Sequence, residues 1–342
     1  MPIRFERRQK MARYLDPRSG FQETVIACEL RRDPLTGRSG RVAHGLGFRM
    51  HPVDFAPLAA ASQPSCPFCP DRLFEVTPRF PPQIISEGRL QRGEAVIFPN
   101  LVPYDEHSAV TVICREHYVP SGSFTRSQLF DAFHVCQDYL HTVQRHPQTT
   151  YALVFWNYFP ASGGTQIHPH LQVLATDTPG NTFEEEINWS SRYYQENGRS
   201  YWAELLSAEE VLGERWVARG AQSAWLTDFV SQSLLADILI LFPEIQVFGD
   251  LTAEGLDEFC RGLGQALRLL ASQGVYSFNL AWFSGVAGSQ EMCLHARLSP
   301  RLYLTPSLWG TDTTALQHLY QEHFMVQAPE AAAAALRQAI HL

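Results

Sequence analysis

Apolar and polar positions along the chain follow one order of elements, and that order occurs twice. The first block alternates as strands do, then shows apolar residues at helical spacing, then alternates again on both sides of a glycine-rich loop. Thr125 is the predicted N-cap of its helix. The predicted strand, strand, helix, strand, loop and strand lie at residues 94–103, 107–116, 123–146, 150–158, 159–166 and 167–175.

The second block repeats this order 127 residues later, so that Thr125 falls on Thr252, His168 on His295 and His170 on Arg297. Its strand, helix, strand, loop and strand are predicted at residues 233–243, 250–272, 275–283, 286–290 and 292–299. We interpret the repeat as an internal duplication. Strands in hairpin order around one inserted helix predict an α+β fold with mostly antiparallel sheets and packed helices.

The duplication predicts two half-domains, residues 1–182 and 183–342. Residues 177–224, around the boundary, are polar and predict a helical or loop connector. The alanine-rich tail from residue 329 predicts a C-terminal helix.

Composition and charge narrow the class of protein. The 342 residues are 12% aromatic and 18% charged, which argues against disorder. The net charge is −8, although residues 1–49 carry +6, so we expect no nucleic-acid partner. No apolar run reaches the ~18 residues of a membrane span, and we expect no membrane partner. Without a secretory signal, and with an odd count of seven cysteines, the chain is expected to be cytoplasmic with reduced thiols.

The most informative stretch for chemistry is 163–172, Gly-Gly-Thr-Gln-Ile-His-Pro-His-Leu-Gln. On a strand, His168, His170 and Gln172 would share one face, directly after a loop whose backbone N–H groups suit a phosphate. A neutral histidine beside a phosphoryl group can act as a nucleophile. The same pattern also fits a solvated polar face or a pair of metal ligands.

A second candidate site is the Cys66-Pro67-Phe68-Cys69 motif. It fits a redox pair, half of a metal site, or chance, and the flanking prolines argue against the usual redox placement at a helix start. A tetrahedral zinc site would need two further ligands. His117 and one of the two histidines of the HPH motif are the candidates, and spacing does not choose between them.

The motifs CPFC, FPNLVPYDEHSAVTVICREH and NYFPASGGTQIHPHLQ together resemble the galactose-1-phosphate uridylyltransferase branch of the histidine-triad (HIT) superfamily. The DPLTGR segment at 33–38 is similar to that family's N-terminal motif. The resemblance covers most of the chain. It implies a HIT-like fold of two related half-domains, the first carrying the catalytic motif and the second a degenerate one.

The resemblance also implies roles for individual residues. His170 would be the nucleophile that accepts a nucleoside monophosphate, and Gln172 would hydrogen-bond the transferred phosphoryl group. One zinc ion would be held by Cys66, Cys69, His117 and His168. Substrate contacts are expected from these residues: Asn100, Asn157, Gly164, Thr165, Gln166, Gln172 and Gln327.

The second half departs from the family pattern. Glu186 would correspond to a ligand of a second metal, but the expected HxH motif reads His295-Ala296-Arg297, so we predict that the second metal is absent. The family's sugar-binding segment contains a lysine, whereas Lys10 is the only lysine in this chain. Gln327 is the nearest match to the sugar-contacting glutamine of that segment.

The resemblance implies a nucleotidyltransferase that moves a nucleoside monophosphate between a nucleotide-sugar and a hexose 1-phosphate. The HPHLQ motif is also similar to diadenosine tetraphosphate phosphorylases, whose acceptor is inorganic phosphate, so an NDP-sugar or dinucleoside-polyphosphate phosphorylase is a second hypothesis. A non-catalytic nucleotide-binding scaffold is a third. The family pattern further allows a homodimer.

Overall fold

A computed structural model describes residues 3–43, 53–144, 149–304 and 312–342. Within these ranges the chain forms fourteen strands and eight helices. The strands are β1 (Glu6–Asp16), β2 (Gln22–Arg32), β3 (Ser39–Ala43), β4 (Leu90–Arg92), β5 (Ala95–Pro99), β6 (His107–Val112), β7 (Tyr151–Tyr158), β8 (His170–Thr176), β9 (Trp216–Arg219), β10 (Ala224–Thr227), β11 (Ile238–Phe242), β12 (Ser277–Ser284), β13 (Leu294–Arg301) and β14 (His323–Met325). The helices are α1 (Ala56–Ser62), α2 (Pro70–Val76), α3 (Arg126–Val143), α4 (Asn181–Asn197), α5 (Tyr201–Leu212), α6 (Ala253–Ser272), α7 (Ala315–His318) and α8 (Pro329–Ala339).

Ten of the strands form one sheet in the order β4-β5-β6-β8-β7-β12-β13-β11-β10-β9, and all of its pairings are antiparallel. The central pairing joins β7 to β12, from Ala152 opposite Ser284 to Tyr158 opposite Phe278. The predicted α+β class is confirmed. The boundary between residues 182 and 183 stays a prediction, although the sheet runs without a break from β4 to β9.

Helices α3 and α6 pack on one face of this sheet and form the main core with its apolar side chains. Both helices begin where the repeat predicts. Thr125 caps α3 in a capping box with Gln128, and the hydroxyl of Thr252 accepts a hydrogen bond from the Gly255 N–H at 3.1 Å. Each cap satisfies an N–H group that the first helical turn leaves without a partner.

The other face of the sheet is covered only at its two ends. Leu73 of α2 packs on β5 and β6, and α4 and α5 pack on β10 and β11. Among the described residues, the middle strands β8, β7 and β12 therefore have no helix packed over part of this face, which we call the open strip, whereas His295 and Arg297 of the next strand, β13, are buried against α4 and α5. Since alternate residues of a strand point to opposite faces, the open strip carries Gln172, Asn157 and Asn279 together with apolar residues such as Phe155 and Ala281.

The remaining strands form a four-stranded sheet in the order β1-β2-β3-β14, which joins the N-terminal segment to the end of the chain. Glu330 of α8 secures this junction, because its carboxylate accepts hydrogen bonds at 2.9 Å from both Arg31 and Arg215. Both arginines are buried.

The structure differs from the predicted elements in the connector and at the start of β8. The connector 177–224 contains the two helices α4 and α5, as expected, but also the strand β9, and β10 begins at its last residue. The predicted strand at 167–175 begins only at His170, because Pro169 has no N–H to donate to the ladder. In the part of the chain that the structure describes, no helix is long and apolar enough to cross a membrane.

Candidate functional site

His170 opens strand β8 at the edge of the open strip. It lies opposite Val112 of β6. On its other side is β7, which pairs with β8 up to Phe155 opposite Gln172, and the same register continued by two residues places Asn157 beside His170. The ring of Phe68, from the Cys-Pro-Phe-Cys motif, lies 5.3 Å from the His170 ring between centroids. The HPH motif and the CxxC motif are therefore neighbours in space, although their nearest residues, Cys69 and His168, are 99 positions apart in sequence.

The His170 ring has a defined orientation. Its Nδ1 lies 2.8 Å from the backbone oxygen of His168 and can only donate to that carbonyl, which places the lone pair on Nε2. Burial lowers the pKa of His170, although the carbonyl contact opposes this shift. A neutral ring with a free Nε2 is the form that a nucleophile needs.

The glycine-rich loop between β7 and β8 folds tightly back on the strand that precedes it. Phe159 has φ +71° and Gly163 has φ +85°, both in the left-handed region, and a Cβ on Gly164 would lie 2.7 Å from the backbone oxygen of Asn157. A non-glycine residue with positive φ is uncommon and such strain concentrates at functional sites. Phe159 is held by aromatic contacts, 4.4 Å from Phe55 and 4.5 Å from Tyr158 between ring centroids.

Asn157 is part of a chain of hydrogen bonds that crosses from the first half of the protein to the second. Asn279 donates at 2.7 Å to the side-chain oxygen of Asn157 and at 2.9 Å to the backbone oxygen of Ser162 in the glycine-rich loop. Arg301 donates at 2.7 Å to the side-chain oxygen of Asn279. Asn279 and Arg301 did not emerge from the sequence, since neither belongs to a motif.

Cys66, Cys69, His117 and His168 come together in one buried cluster, and their ligand atoms lie within 4.8 Å of one another. The Nδ1 of His168 is 3.6 Å from Cys66 Sγ and 3.7 Å from Cys69 Sγ, and the Nδ1 of His117 is 3.5 Å from Cys69 Sγ. A tetrahedral zinc with its usual bond lengths separates a sulfur from a nitrogen ligand by about 3.6 Å. The cluster therefore has the size and the donor set of a zinc site.

The outer nitrogens of both histidines are engaged, which orients their inner nitrogens toward the cluster. His168 Nε2 donates at 2.8 Å to the backbone oxygen of Cys114, and His117 Nε2 lies 2.9 Å from the Ser62 hydroxyl. Such outer contacts fix the tautomer of metal-binding histidines. Burial lowers the pKa of His168 to about 4 and raises the pKa of Cys69, next to Cys66, to about 12.

The other residues expected to contact substrate lie on β8, in the glycine-rich loop and directly after β5. Gln172 points from β8 into the same strip as His170, and its side-chain oxygen is buried without a hydrogen-bond partner among the described residues. Thr165 and Gln166 lie in the glycine-rich loop. Asn100 directly follows β5, and its N–H donates to the backbone oxygen of Ser108 at 2.9 Å. Ser108 lies near the start of β6, whereas Val112, the residue opposite His170, lies at the end of that strand.

Gln327 does not join this cluster. It lines a small cavity with Ile238, Leu270 and Pro300 on the helix-covered side of the sheet. A contact between Gln327 and substrate stays a prediction.

In the second half, an arginine stands at the position that the repeat matches to the nucleophile. Arg297 donates to Glu186 at 3.2 Å and to Asp228 at 3.0 Å, and His295 Nε2 lies 3.2 Å from the other oxygen of Glu186. The guanidinium thus supplies the positive charge beside Glu186. This arrangement is compatible with the predicted absence of a second metal, which stays a prediction.

Comparisons with known proteins give both sequence and structural relatives. No protein-family model matches the chain. A protein of Archaeoglobus fulgidus without a characterized function is 33% identical over 264 residues, which are 77% of each of the two chains.

Solved structures give a fold match over almost the whole chain. An ADP-glucose phosphorylase of Arabidopsis thaliana, with bound ADP-glucose, matches with a TM-score of 0.70 and 18% identity over 92% of this chain and 100% of its own. A galactose-1-phosphate uridylyltransferase-like protein of Arabidopsis thaliana matches with a TM-score of 0.69 and 17% identity over 92% and 99% of the two chains. A uridylyltransferase matches with a TM-score of 0.63 and 17% identity over 91% and 97%.

The ten-stranded antiparallel sheet and these neighbours show that the chain has the fold of galactose-1-phosphate uridylyltransferase-like proteins. By sequence, the chain belongs to the same family as the Archaeoglobus fulgidus protein.

Proposed function

We propose that the chain is a nucleotidyltransferase that works by double displacement through a nucleotidyl-His170 intermediate. The observation that carries the proposal is the hydrogen bond from His170 Nδ1 to the His168 carbonyl, which leaves Nε2 free at the edge of the open strip. The donor would be a nucleotide-sugar and the acceptor a hexose 1-phosphate. A uridylyltransferase and an ADP-glucose phosphorylase with this fold support that substrate class.

In the first step, Nε2 of His170 attacks the α-phosphorus of the nucleotide-sugar. The new P–N bond forms as the bond from the α-phosphorus to the bridging oxygen breaks, and hexose 1-phosphate leaves with that electron pair. The ring becomes positively charged, and the His168 carbonyl stabilises that charge through the Nδ1–H. In the second step, a phosphate oxygen of the acceptor attacks the same phosphorus and the electron pair returns to Nε2.

Neighbouring groups would stabilise the charge that develops on the phosphoryl oxygens. Gln172 lies one step along the same face of β8, and an amide N–H group directed at the phosphoryl group would act as a preorganised donor. The backbone N–H groups of the loop after Phe159, including Gly164, Thr165 and Gln166, would supply further donors.

Cys66, Cys69, His117 and His168 would hold one zinc ion in this proposal. With four protein ligands a zinc site has no open position, so the ion would be structural. Its effect on catalysis would pass through His168, whose ring would be a ligand and whose carbonyl orients His170. The zinc site and the nucleophile are thus linked by a single residue.

An NDP-sugar phosphorylase is the second candidate, favoured by the neighbour that holds ADP-glucose. It shares the first step and differs only in the acceptor, which would be inorganic phosphate. Both activities require the covalent intermediate, whereas a non-catalytic scaffold does not.

The test measures the intact mass of the protein after incubation with UDP-glucose, ADP-glucose or a dinucleoside tetraphosphate. The samples are kept at neutral or basic pH, because the P–N bond is acid-labile. We expect one nucleoside monophosphate to be added, to be mapped to His170, and to be lost in His170→Ala. The matched control His141→Ala, on the outer end of α3, should keep the adduct. Chasing the adduct with hexose 1-phosphate or with phosphate identifies the acceptor. Binding without an adduct for every donor would refute the proposal and leave the scaffold.

A further inference from the structure

His170, Asn157 and Asn279 form one row across three neighbouring strands of the sheet. Asn157 lies directly opposite Asn279 in the pairing of β7 with β12. On its other side, the register of β7 with β8, continued by two residues, places Asn157 beside His170. Neighbouring strands are about 4.8 Å apart, so Asn279 lies two strands, about 10 Å, from His170. Of the two amides, only Asn157 is on a strand adjacent to that of the nucleophile.

The orientation of the Asn279 amide is fixed by two groups that each have a single role in hydrogen bonding. A guanidinium has only donors, so Arg301, whose Nη1 lies 2.7 Å from Asn279, requires the amide oxygen on its side. A backbone carbonyl only accepts, so the Ser162 oxygen, 2.9 Å from the other end of the amide, requires the nitrogen. The Asn279 amide therefore cannot be turned over without losing both hydrogen bonds.

The Asn279 amide in turn determines the orientation of the Asn157 amide. The NH₂ group of Asn279 donates at 2.7 Å to the side-chain oxygen of Asn157, so the acceptor end of Asn157 is occupied. The NH₂ group of Asn157 has no hydrogen-bond partner among the described residues. An NH₂ group can donate to a phosphoryl oxygen, whereas an amide oxygen in the same place would repel it.

Arg301 is itself held in place within the second half of the chain. Its Nε donates at 2.7 Å to the buried carboxylate of Asp312. The other oxygen of that carboxylate accepts the backbone N–H of Leu302 at 2.9 Å. A chain of hydrogen bonds thus runs from Asp312 through Arg301 and Asn279 to Asn157, and each link has only one possible direction.

From these contacts we propose that Asn279 and Arg301 are positioning residues for nucleotidyl transfer, because they keep the NH₂ group of Asn157 available to the phosphoryl group at His170. Neither residue needs to touch the substrate in this role. The role rests on the function proposed above. It gives the second half of the chain a part in a reaction whose nucleophile lies in the first half.

The test compares Asn279→Asp with Asn279→Ala by the rate at which the nucleotidyl-His170 adduct forms. Aspartate keeps the size of the side chain and its bond to Arg301, but it cannot donate, so Asn157 must turn its NH₂ group toward position 279 and its oxygen toward the phosphoryl group. We expect the rate to fall about 100-fold. Alanine leaves the Asn157 amide free to take either orientation, so the rate should fall by less than about tenfold.

A purely structural role of Asn279 predicts the opposite order. Alanine removes the hydrogen bonds to Asn157, Ser162 and Arg301 and leaves a gap, whereas aspartate stays paired with Arg301. Melting temperatures measured on the same samples should therefore be no lower for Asn279→Asp than for Asn279→Ala, although Asn279→Asp reacts more slowly.

A double-mutant cycle shows whether the effect passes through Asn157. In a protein that already carries Asn157→Ala, adding Asn279→Asp should slow adduct formation by a factor about tenfold smaller than it does alone, since no amide is left to turn. Arg301→Gln is a second variant, because it removes the group that dictates the orientation of Asn279, and its effect should shrink in the same way. Asn188→Asp, the same substitution on the exposed side of α4, should change the rate by less than about twofold.

Slowing by Asn279→Ala that equals or exceeds the slowing by Asn279→Asp would overturn the positioning role alone. An undiminished effect of Asn279→Asp in the Asn157→Ala protein would do the same. Failure of the unmodified protein to form any adduct would overturn the proposed function and this role with it.

Discussion

The Nδ1 atom of His170 lies 2.8 Å from the backbone oxygen of His168, so the carbonyl of one histidine orients the ring of the other. His168 in turn directs its own Nδ1 toward two cysteine sulfurs, because its Nε2 donates to the Cys114 carbonyl. The two rings of one HPH motif are therefore held as opposite tautomers. In the proposed function, His170 would face a phosphorus atom and His168 would face a metal ion.

This arrangement predicts which ring nitrogen of each histidine carries the proton. At neutral pH we expect His170 to carry its proton on Nδ1 and His168 to carry its proton on Nε2, since each proton is held by a backbone oxygen. Long-range ¹H–¹⁵N correlation spectra of the imidazole rings distinguish the two forms, and His170→Ala and His168→Ala assign the signals. The same tautomer in both rings would contradict the orientation of the nucleophile.

Replacing one cysteine of the buried cluster should release the metal. We expect about one equivalent of zinc in the purified protein and a large loss in Cys69→Ser, together with a lower melting temperature, because binding energy of a structural zinc adds to folding. Cys136→Ser is the matched control, a buried cysteine in the core of α3 outside the cluster. Elemental analysis and thermal unfolding measure both effects. Equal zinc content in the two variants would argue against the site.

The tight loop after β7 should tolerate a methyl group at one glycine and not at its neighbour. Gly164→Ala places a Cβ against the Asn157 carbonyl, so we expect adduct formation to slow about 100-fold through displaced loop N–H groups. Gly163→Ala meets no atom within 4 Å and should cost only about 1–2 kcal/mol for its left-handed φ. Rates of adduct formation and urea unfolding compare the pair. Similar rates of adduct formation in Gly164→Ala and Gly163→Ala would show that close packing of the loop against Asn157 is not needed for the reaction.

Glu330 predicts how stability depends on acid. Burial alone would raise its pKa, but the hydrogen bonds and charges of Arg31 and Arg215 outweigh burial and lower the pKa to about 2. A lowered carboxyl pKa stabilises the fold fully above the unfolded value, and that stabilisation is lost as pH falls toward about 2. Glu330→Gln should therefore lose about 2–4 kcal/mol at pH 7.

The difference in unfolding free energy between the unmodified protein and Glu330→Gln should shrink as the pH falls below about 4.5, where the carboxyl of the unfolded chain begins to protonate. Chemical unfolding at several pH values measures it. Glu23→Gln, at an exposed ion pair with Arg13, is the control and should change stability little at any pH. A gap between unmodified protein and Glu330→Gln that stays constant down to pH 3 would contradict the assigned cause.

The sequence predicted those parts of the molecule in which periodicity and spacing act locally. The helices after Thr125 and Thr252 follow their caps and apolar stripes, and the repeat matched His295 and Arg297 to His168 and His170, while the structure places both side chains beside Glu186. The CxxC and HPH motifs were recognisable because their members are neighbours in sequence. Their spacing in the sequence does not show that the two motifs meet in space.

What could not be predicted depends on contacts between distant strands. Asn279 reaches Asn157 across 122 positions only because β12 pairs with β7 in one register, and no local pattern reports that register. Ser62 holds His117 from a short helix with no motif. The strands β9 and β10 have four residues each, too few for alternation to separate them from a loop.

The pairing of β7 with β12 means that neither half can finish its own sheet. Seven residues of each strand pair across the junction, so an isolated half would expose an unpaired strand edge there. The second half carries Arg297 at the position that the repeat matches to His170, yet its strand β12 completes the sheet next to the strand that holds Asn157. A half without the candidate nucleophile is therefore still required to build the surface on which that nucleophile lies.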